Sequence, residues 1–227
     1  MIKACIFDLD GTLLDTLTQI SYYLNTTLKG HGMDEIDLPT VRNFVGNGGH
    51  NLVTRALTHV GREDMLKPEL FNAFFKEYLD FYNSGVDYLV EPYEGIHEAL
   101  RALSAAGVRL AVRSNKPHST VVPVVEKFFP GIFEVVQGAE DSIPIKPDPK
   151  SCASVLASLG LPAEQTAFIG DSEVDMETAK NYGAGLAVGV SWGFRDRAVL
   201  ESSGADIILD AAKLIPEAIA RANGGKT

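Results

Sequence analysis

Short, nearly continuous apolar runs recur along this chain, and each stops at polar residues or glycine. Ile2 to Phe7 runs into Asp8-Leu9-Asp10-Gly11, and Val108 to Val112 leads to Arg113-Ser114-Asn115. Phe133 to Val136 ends near Gly138, Thr166 to Ile169 ends at Gly170-Asp171, and Leu186 to Val190 leads into Ser191-Trp192-Gly193. Ile207 to Leu209 is a marginal sixth run. Runs this short and apolar suit strands buried on both faces, as in a parallel sheet. Helical patterns separate them: Glu94 to Ala106, Ser119 to Phe129, a segment opened by Asp148-Pro149 and closed at Gly160, and Glu173 to Tyr182 before Gly183. Asp followed by Pro is a helix-opening pair, and glycine is a left-handed stop. Pro123 is tolerable only near a helix start. The alternation predicts an α/β fold, a three-layer core with helices on both faces of a parallel sheet.

One stretch breaks the alternation. Between about Thr16 and Ser84 the pattern is helical throughout, with stripes at Ile20, Leu24 and Leu28, at Leu52, Val53, Ala56, Leu57 and Val60, and at Leu70, Phe71, Phe74, Tyr78 and Phe81. Such stripes are core faces of amphipathic helices. The expected organisation is a discontinuous core, residues 1–15 and 85–227, with an all-helical domain inserted at 16–84. Hinges are expected near Asp15–Leu17 and Ser84–Tyr88, and the last residues, Asn223 to Thr227, are expected to fray.

The 227 residues carry a net charge of −10, and 45% of them are apolar. A chain this size can bury a sizeable core. The acidic balance excludes a nucleic-acid binder, which needs a positive surface to displace counterions. No apolar stretch is long enough to span a bilayer. Asp8 arrives too soon for a secretory leader, so a cytoplasmic location is expected. Cys5 and Cys152 read as buried reduced thiols without zinc-ligand spacing.

Ligands of parallel sheets bind beyond the carboxyl ends of the strands. The residues standing there are Asp8 and Asp10, then Ser114, Asn115 and Lys116, then Asp171 and Asp175, with Lys146 in a Pro-rich loop. Several carboxylates, a hydroxyl, an amide and a lysine suit phosphoryl transfer around a hard cation such as magnesium. Residues two apart on a strand face the same way, so Asp8 and Asp10 can share one pocket. Asp8 is placed to attack phosphorus and Asp10 to move the proton. Gly11 lets the backbone turn closely past the phosphate.

Phe7-Asp8-Leu9-Asp10-Gly11-Thr12-Leu13 resembles the first motif of the haloacid dehalogenase superfamily. Ser114-Asn115-Lys116, Lys146-Pro147-Asp148-Pro149 and Gly170-Asp171-Ser172-Glu173-Val174-Asp175 resemble its second, third and fourth motifs, in the right order. The helical insertion resembles that superfamily's small helical cap over a Rossmann-like core. The resemblance implies Asp8 as nucleophile and magnesium ligand, Asp10 as general acid/base with its main-chain carbonyl on the metal, and Asp171 as the third protein ligand. It implies Ser114 and Asn115 as phosphate-binding residues, Lys146 as the neutralising lysine, and Asp175 as a support of the metal site. Thr12 is expected to bind substrate or to brace the loop. Arg113 departs from the family pattern, which more often has an apolar residue there. It reads either as a solvated strand-end arginine, or as a second cation near the phosphate or a cap contact.

The segment Phe44 to Gly49 followed by Leu52 to Leu57 resembles the cap of the phosphoglycolate phosphatase group, as does Gly189 to Phe194. The expected partner is therefore a small phosphorylated metabolite, first 2-phosphoglycolate, with sugar phosphates, nucleotides and pyrophosphate as alternatives. Arg42, Asn47 and His50 are the cap polar residues that can meet a substrate carboxylate. Two other functions compete. A sugar-phosphate mutase would use the same Asp8 chemistry and release an isomer rather than phosphate. A phospho-receiver domain would be shorter and lack the insertion.

Overall fold

The computed structural model describes residues 1–85 and 87–225. The chain divides into two compact units, Met1–Asp15 with Pro92–Thr227, and Thr16–Glu91. The boundary expected after Ser84 thus lies at Glu91.

The strands in chain order are β1 (Ala4–Phe7), β2 (Leu14–Asp15), β3 (Glu91–Pro92), β4 (Arg109–Pro117), β5 (Val135–Ala139), β6 (Thr166–Gly170), β7 (Leu186–Val190) and β8 (Ile207–Leu209). Six of them form one sheet in the order β5-β4-β1-β6-β7-β8, with every described pair parallel. The two-residue strands β2 and β3 pair with each other. Phe7 is level with Val112 on one side and Ile169 on the other, so Asp8 leaves β1 at the height of Arg113, which is still within β4, and of Gly170, the last residue of β6.

All four residues of β1 are buried, which is why its sequence is a solid apolar run. The core unit holds α5 (Ile96–Ala105), α6 (His118–Phe128), α7 (Ala153–Leu159), α8 (Glu173–Tyr182), α9 (Arg197–Ser202) and α10 (Ile215–Ala222). Ala4, Ile6, Ala111, Phe168 and Ala187 pack with Val155, Leu159, Met176, Ala179 and Leu200 on the face covered by α7, α8 and α9. Alternation turns Cys5 and Phe7 to the other face, where Phe7 meets Phe133 edge-on and Phe133 meets Phe129 at the end of α6. Both cysteines are free and buried.

Several elements differ from expectation. The strand after Val108 does not stop at Val112 but continues to Pro117. Pro123 lies well inside α6 and the helix continues past it. Asp148 does cap, accepting from Lys150 N at 2.8 Å, yet the turn it opens is a 3₁₀ turn, Pro149–Cys152, before α7 begins. Asn223 is not frayed: its side-chain amide donates to Ile2 O at 2.9 Å and accepts from Ile2 N. Lys226 and Thr227 lie outside the described residues.

The helical unit contains α1 (Leu17–Gly30), α2 (Leu38–Phe44), α3 (Gly48–His59) and α4 (Pro68–Ser84). On α4 the buried face is Phe71, Phe74, Tyr78 and Tyr82, a helical spacing, while Leu70 and Phe81 face outward. Gln19 of α1 is fully buried; its amide donates to Gly85 O at 3.0 Å and accepts from the Tyr82 hydroxyl. Tyr23 OH also donates to Gly85 O, at 3.2 Å, so part of the expected second hinge is tied to α1. Val86, within that expected hinge, lies outside the described residues. Among the described residues, no helix is long and apolar enough to cross a membrane.

Candidate active site

The turn after β1 is built by its own backbone. Leu13 N and Leu14 N both donate to Leu9 O at 3.0 Å, and Gly11 N donates to Leu14 O at 2.9 Å. Gly11 takes φ +86°, and a Cβ there would overlap the Asp171 carboxylate. Glycine is therefore required twice over, by conformation and by space. Asp8 stays against the sheet through its N–H, which donates to Ile169 O at 2.9 Å.

Lys146 is the hub. Its ammonium is buried 2.7 Å from Asp8 Oδ1 and 2.6 Å from Asp175 Oδ1. Asn115 fixes the backbone beneath it: Lys146 N donates to Asn115 Oδ1 at 2.8 Å, and Asn115 Nδ2 donates to Lys146 O at 3.0 Å. The side-chain amide expected to bind phosphate is thus engaged with the Lys146 loop. Ser114 is buried, and its hydroxyl accepts from Lys116 N at 3.2 Å.

Asp171 is buried and held on both oxygens. Thr12 Oγ1 donates to Oδ1 at 3.1 Å and Phe194 N donates to Oδ2 at 2.7 Å. The Thr12 hydroxyl, expected to bind substrate or to brace the loop, donates to Asp171 instead. Asp175 Oδ2 accepts from Ser172 N at 3.1 Å and Ser172 Oγ at 2.6 Å, a capping box that opens α8. Asp10 turns to a different cation, Lys116, whose ammonium lies 2.6 Å from Oδ1.

The residues that sequence reasoning left without a role are Lys116 and the loop 192–194. Trp192 Nε1 donates to Thr12 O at 3.1 Å, and a Cβ at Gly193 would overlap Asp171 and Gly11 O. With Phe194 N, this loop fixes the carboxylate of Asp171 from the side opposite Thr12. Arg113 is neither solvated nor a strand-end ornament. It is fully buried and donates to the carbonyls of Ser151 (2.7 Å), Pro144 (2.9 Å) and Ser114. Arg42, Asn47 and His50 lie in the helical unit: Arg42 in α2, Asn47 at the start of α3, and His50 exposed beside the rings of Phe71 and Phe75.

Oxygens of Asp8, Asp171 and Asp175 lie within 4.8 Å of one another. Burial pushes the Asp8 carboxyl up to about 7; Lys146 opposes this, while Asp175 and Asp10 add to it. Burial also drives Asp171 well above the carboxylate range, with Asp175 and Asp8 reinforcing it. Burial works against the Lys146 charge, but Asp175 and Asp8 outweigh it and raise the ammonium above its ordinary value. Three carboxylates thus crowd together, and the Lys146 ammonium reaches two of them, Asp8 and Asp175. Such a cluster is short of positive charge, and its all-oxygen donors suit a hard cation.

Residues 5–188 match the haloacid dehalogenase-like hydrolase family. The chain belongs to that family. It is 35% identical over 221 residues to the phosphoglycolate phosphatase of Pseudomonas syringae pv. syringae, covering 94% of this chain and 79% of that protein. The phosphoglycolate phosphatase of Rhodospirillum rubrum is 35% identical over 214 residues, 92% of this chain and 88% of the relative. With such relatives along nearly its whole length, the chain is a phosphoric monoester hydrolase of this family. Among solved structures, a predicted phosphoglycolate phosphatase from Haemophilus somnus superposes with a TM-score of 0.88 at 28% identity, covering 96% of this chain and 98% of the other. A β-phosphoglucomutase from Clostridium difficile, 19% identical with a TM-score of 0.82 over 99% of this chain and 98% of the other, shares the fold.

Proposed function

We propose that this hydrolase is a magnesium-dependent phosphatase that works through an aspartyl phosphate on Asp8, with 2-phosphoglycolate as its substrate. The observation that carries the mechanism is the Lys146 ammonium lying 2.7 Å from Asp8 Oδ1 within the Asp8–Asp171–Asp175 carboxylate cluster. A carboxylate with a cation beside it, in a buried cluster, is the arrangement a phosphoryl group needs for charge stabilisation.

In this reading Asp8, Asp171 and the main-chain carbonyl of Asp10 hold the magnesium ion. Asp175, engaged by Lys146 and Ser172, supports the cluster. The ion supplies positive charge that lets an anionic carboxylate approach a phosphate. An oxygen of Asp8 bonds to phosphorus as the bond to the leaving oxygen breaks, and Asp10 gives that oxygen its proton. Asp10 then takes a proton from water as the water attacks the same phosphorus. The Asp8–phosphorus bond breaks, freeing the carboxylate and inorganic phosphate. Lys146 offsets negative charge on the transferring group throughout, and the Ser114 hydroxyl is its neighbour on the phosphate.

The substrate assignment rests on the relatives named for phosphoglycolate. The test is phosphate release from 2-phosphoglycolate, sugar phosphates, a nucleotide and pyrophosphate, with magnesium and with chelator. Asp8→Asn is expected to lose about 10³-fold or more in kcat. An Asp8→Asn enzyme as active as its parent ends the covalent route. A sugar phosphate isomerised without free phosphate makes the protein a mutase.

A further inference from the structure

Arg113 is the largest fully buried side chain among the described residues. Its guanidinium has no carboxylate partner: among the described residues, its hydrogen bonds go to the carbonyls of Ser114, Pro144 and Ser151. Burying a charge without a counter-ion is costly, and a side chain needed only for volume would be apolar. The places it reaches explain the charge. Pro144 and Ser151 bracket Lys146 along the chain, and Ser114 is the next residue on β4. Asn115, two residues beyond Arg113, takes the main-chain N–H and C=O of Lys146 itself. Two side chains of one strand therefore hold the lysine loop at three points.

We propose that Arg113 is a positioning residue. Its rigid fork fixes the 144–151 loop on β4, and so fixes where the Lys146 ammonium stands between Asp8 and Asp175. The inference rests on reading Lys146 as the group that offsets charge on the transferring phosphate. The tolerance is small, because Lys146 must reach two carboxylates at 2.7 and 2.6 Å at once. A displacement of about 1 Å in such a group costs on the order of 10²-fold in rate. A planar guanidinium presents its donors in a fixed fork, whereas an ammonium on a flexible stem does not. The field of Arg113 also reaches Asp8, which opposes the loss of its charge by burial.

The experiment is a double-mutant cycle on the full chain with magnesium, using 2-phosphoglycolate and p-nitrophenyl phosphate. Arg113→Met and Arg113→Lys are measured alone and with Lys146→Met, with kcat referred to folded protein by near-ultraviolet circular dichroism. Arg113→Met is expected to lower kcat about 10²-fold with KM changed less than about threefold, and Arg113→Lys to fall between. In the Lys146→Met background the same changes are expected to cost less than about threefold. Equal losses in both backgrounds overturn the proposal, as does a rise in KM at unchanged kcat. If Arg113→Met does not fold, Arg113→Lys through the same cycle decides. A Lys146→Met enzyme as active as its parent overturns the reading of Lys146 and this proposal with it. An impaired Lys146→Met enzyme with additive Arg113 losses overturns this proposal alone.

Discussion

At the scale of single residues, burial, with crowding of carboxylates added to it, makes the site dependent on pH. Asp8 holds its proton up to about 7 in the folded protein and Asp171 higher than usual, whereas both ionise near 3.8 when the chain is open. Between those values the folded state binds more protons than the unfolded one. Stability from this cluster therefore falls as pH rises through that window. A divalent cation that neutralises the cluster reverses the penalty where it is largest. The rise in melting temperature on adding saturating magnesium is expected to be greater near about pH 8 than near about pH 5. Equal rises at both, read by calorimetry, would contradict it. The acidic residues of the site were legible because two short motifs, the first and the fourth, carry them. Arg113 was not: its burial depends on carbonyls 31 and 38 residues further on, and the end of an apolar run looks the same whether the strand stops or continues. The pairing of Lys116 with Asp10 spans a separation that spacing rules do not reach.

At the scale of elements, what the sequence left without a role was built from backbone. The loop after β7 acts on Asp171 through the Phe194 N–H and through the absence of a side chain at Gly193, and neither leaves a chemical signature in sequence. Its importance is testable. Gly193→Ala forces a methyl into space held by Asp171 and Gly11 O. We expect it to cost about 1–3 kcal/mol in denaturant unfolding and to weaken magnesium binding by calorimetric titration. A variant with wild-type stability and magnesium affinity would show that the loop yields. The helices were read with mixed success. The face of α4 was displaced at both ends, because outward Leu70 and Phe81 are as apolar as inward Phe71 and Tyr82. The seven-residue α2 buries only Val41, too little for a period to be visible.

At the scale of the molecule, the parallel sheet was legible because strands buried on both faces cannot hide their composition. The strand order was not, since pairing depends on contacts far apart in sequence. The same distance explains Asn223, whose amide closes on Ile2 from the far end of the chain. Asn223→Ala is expected to lower unfolding free energy by about 1–3 kcal/mol while leaving kcat unchanged. A melting curve that does not move would remove the clamp from the account.

The inner place of β1 has a consequence for synthesis. Both edges of this apolar strand are satisfied by partners roughly a hundred or more residues downstream, beginning with Arg109. At ribosomal speed that is a wait of about 5–20 s for the first of them. Throughout it the nascent segment that leads into Asp8 is a sticky ribbon without a neighbour, the moment at which a chaperone has most to protect.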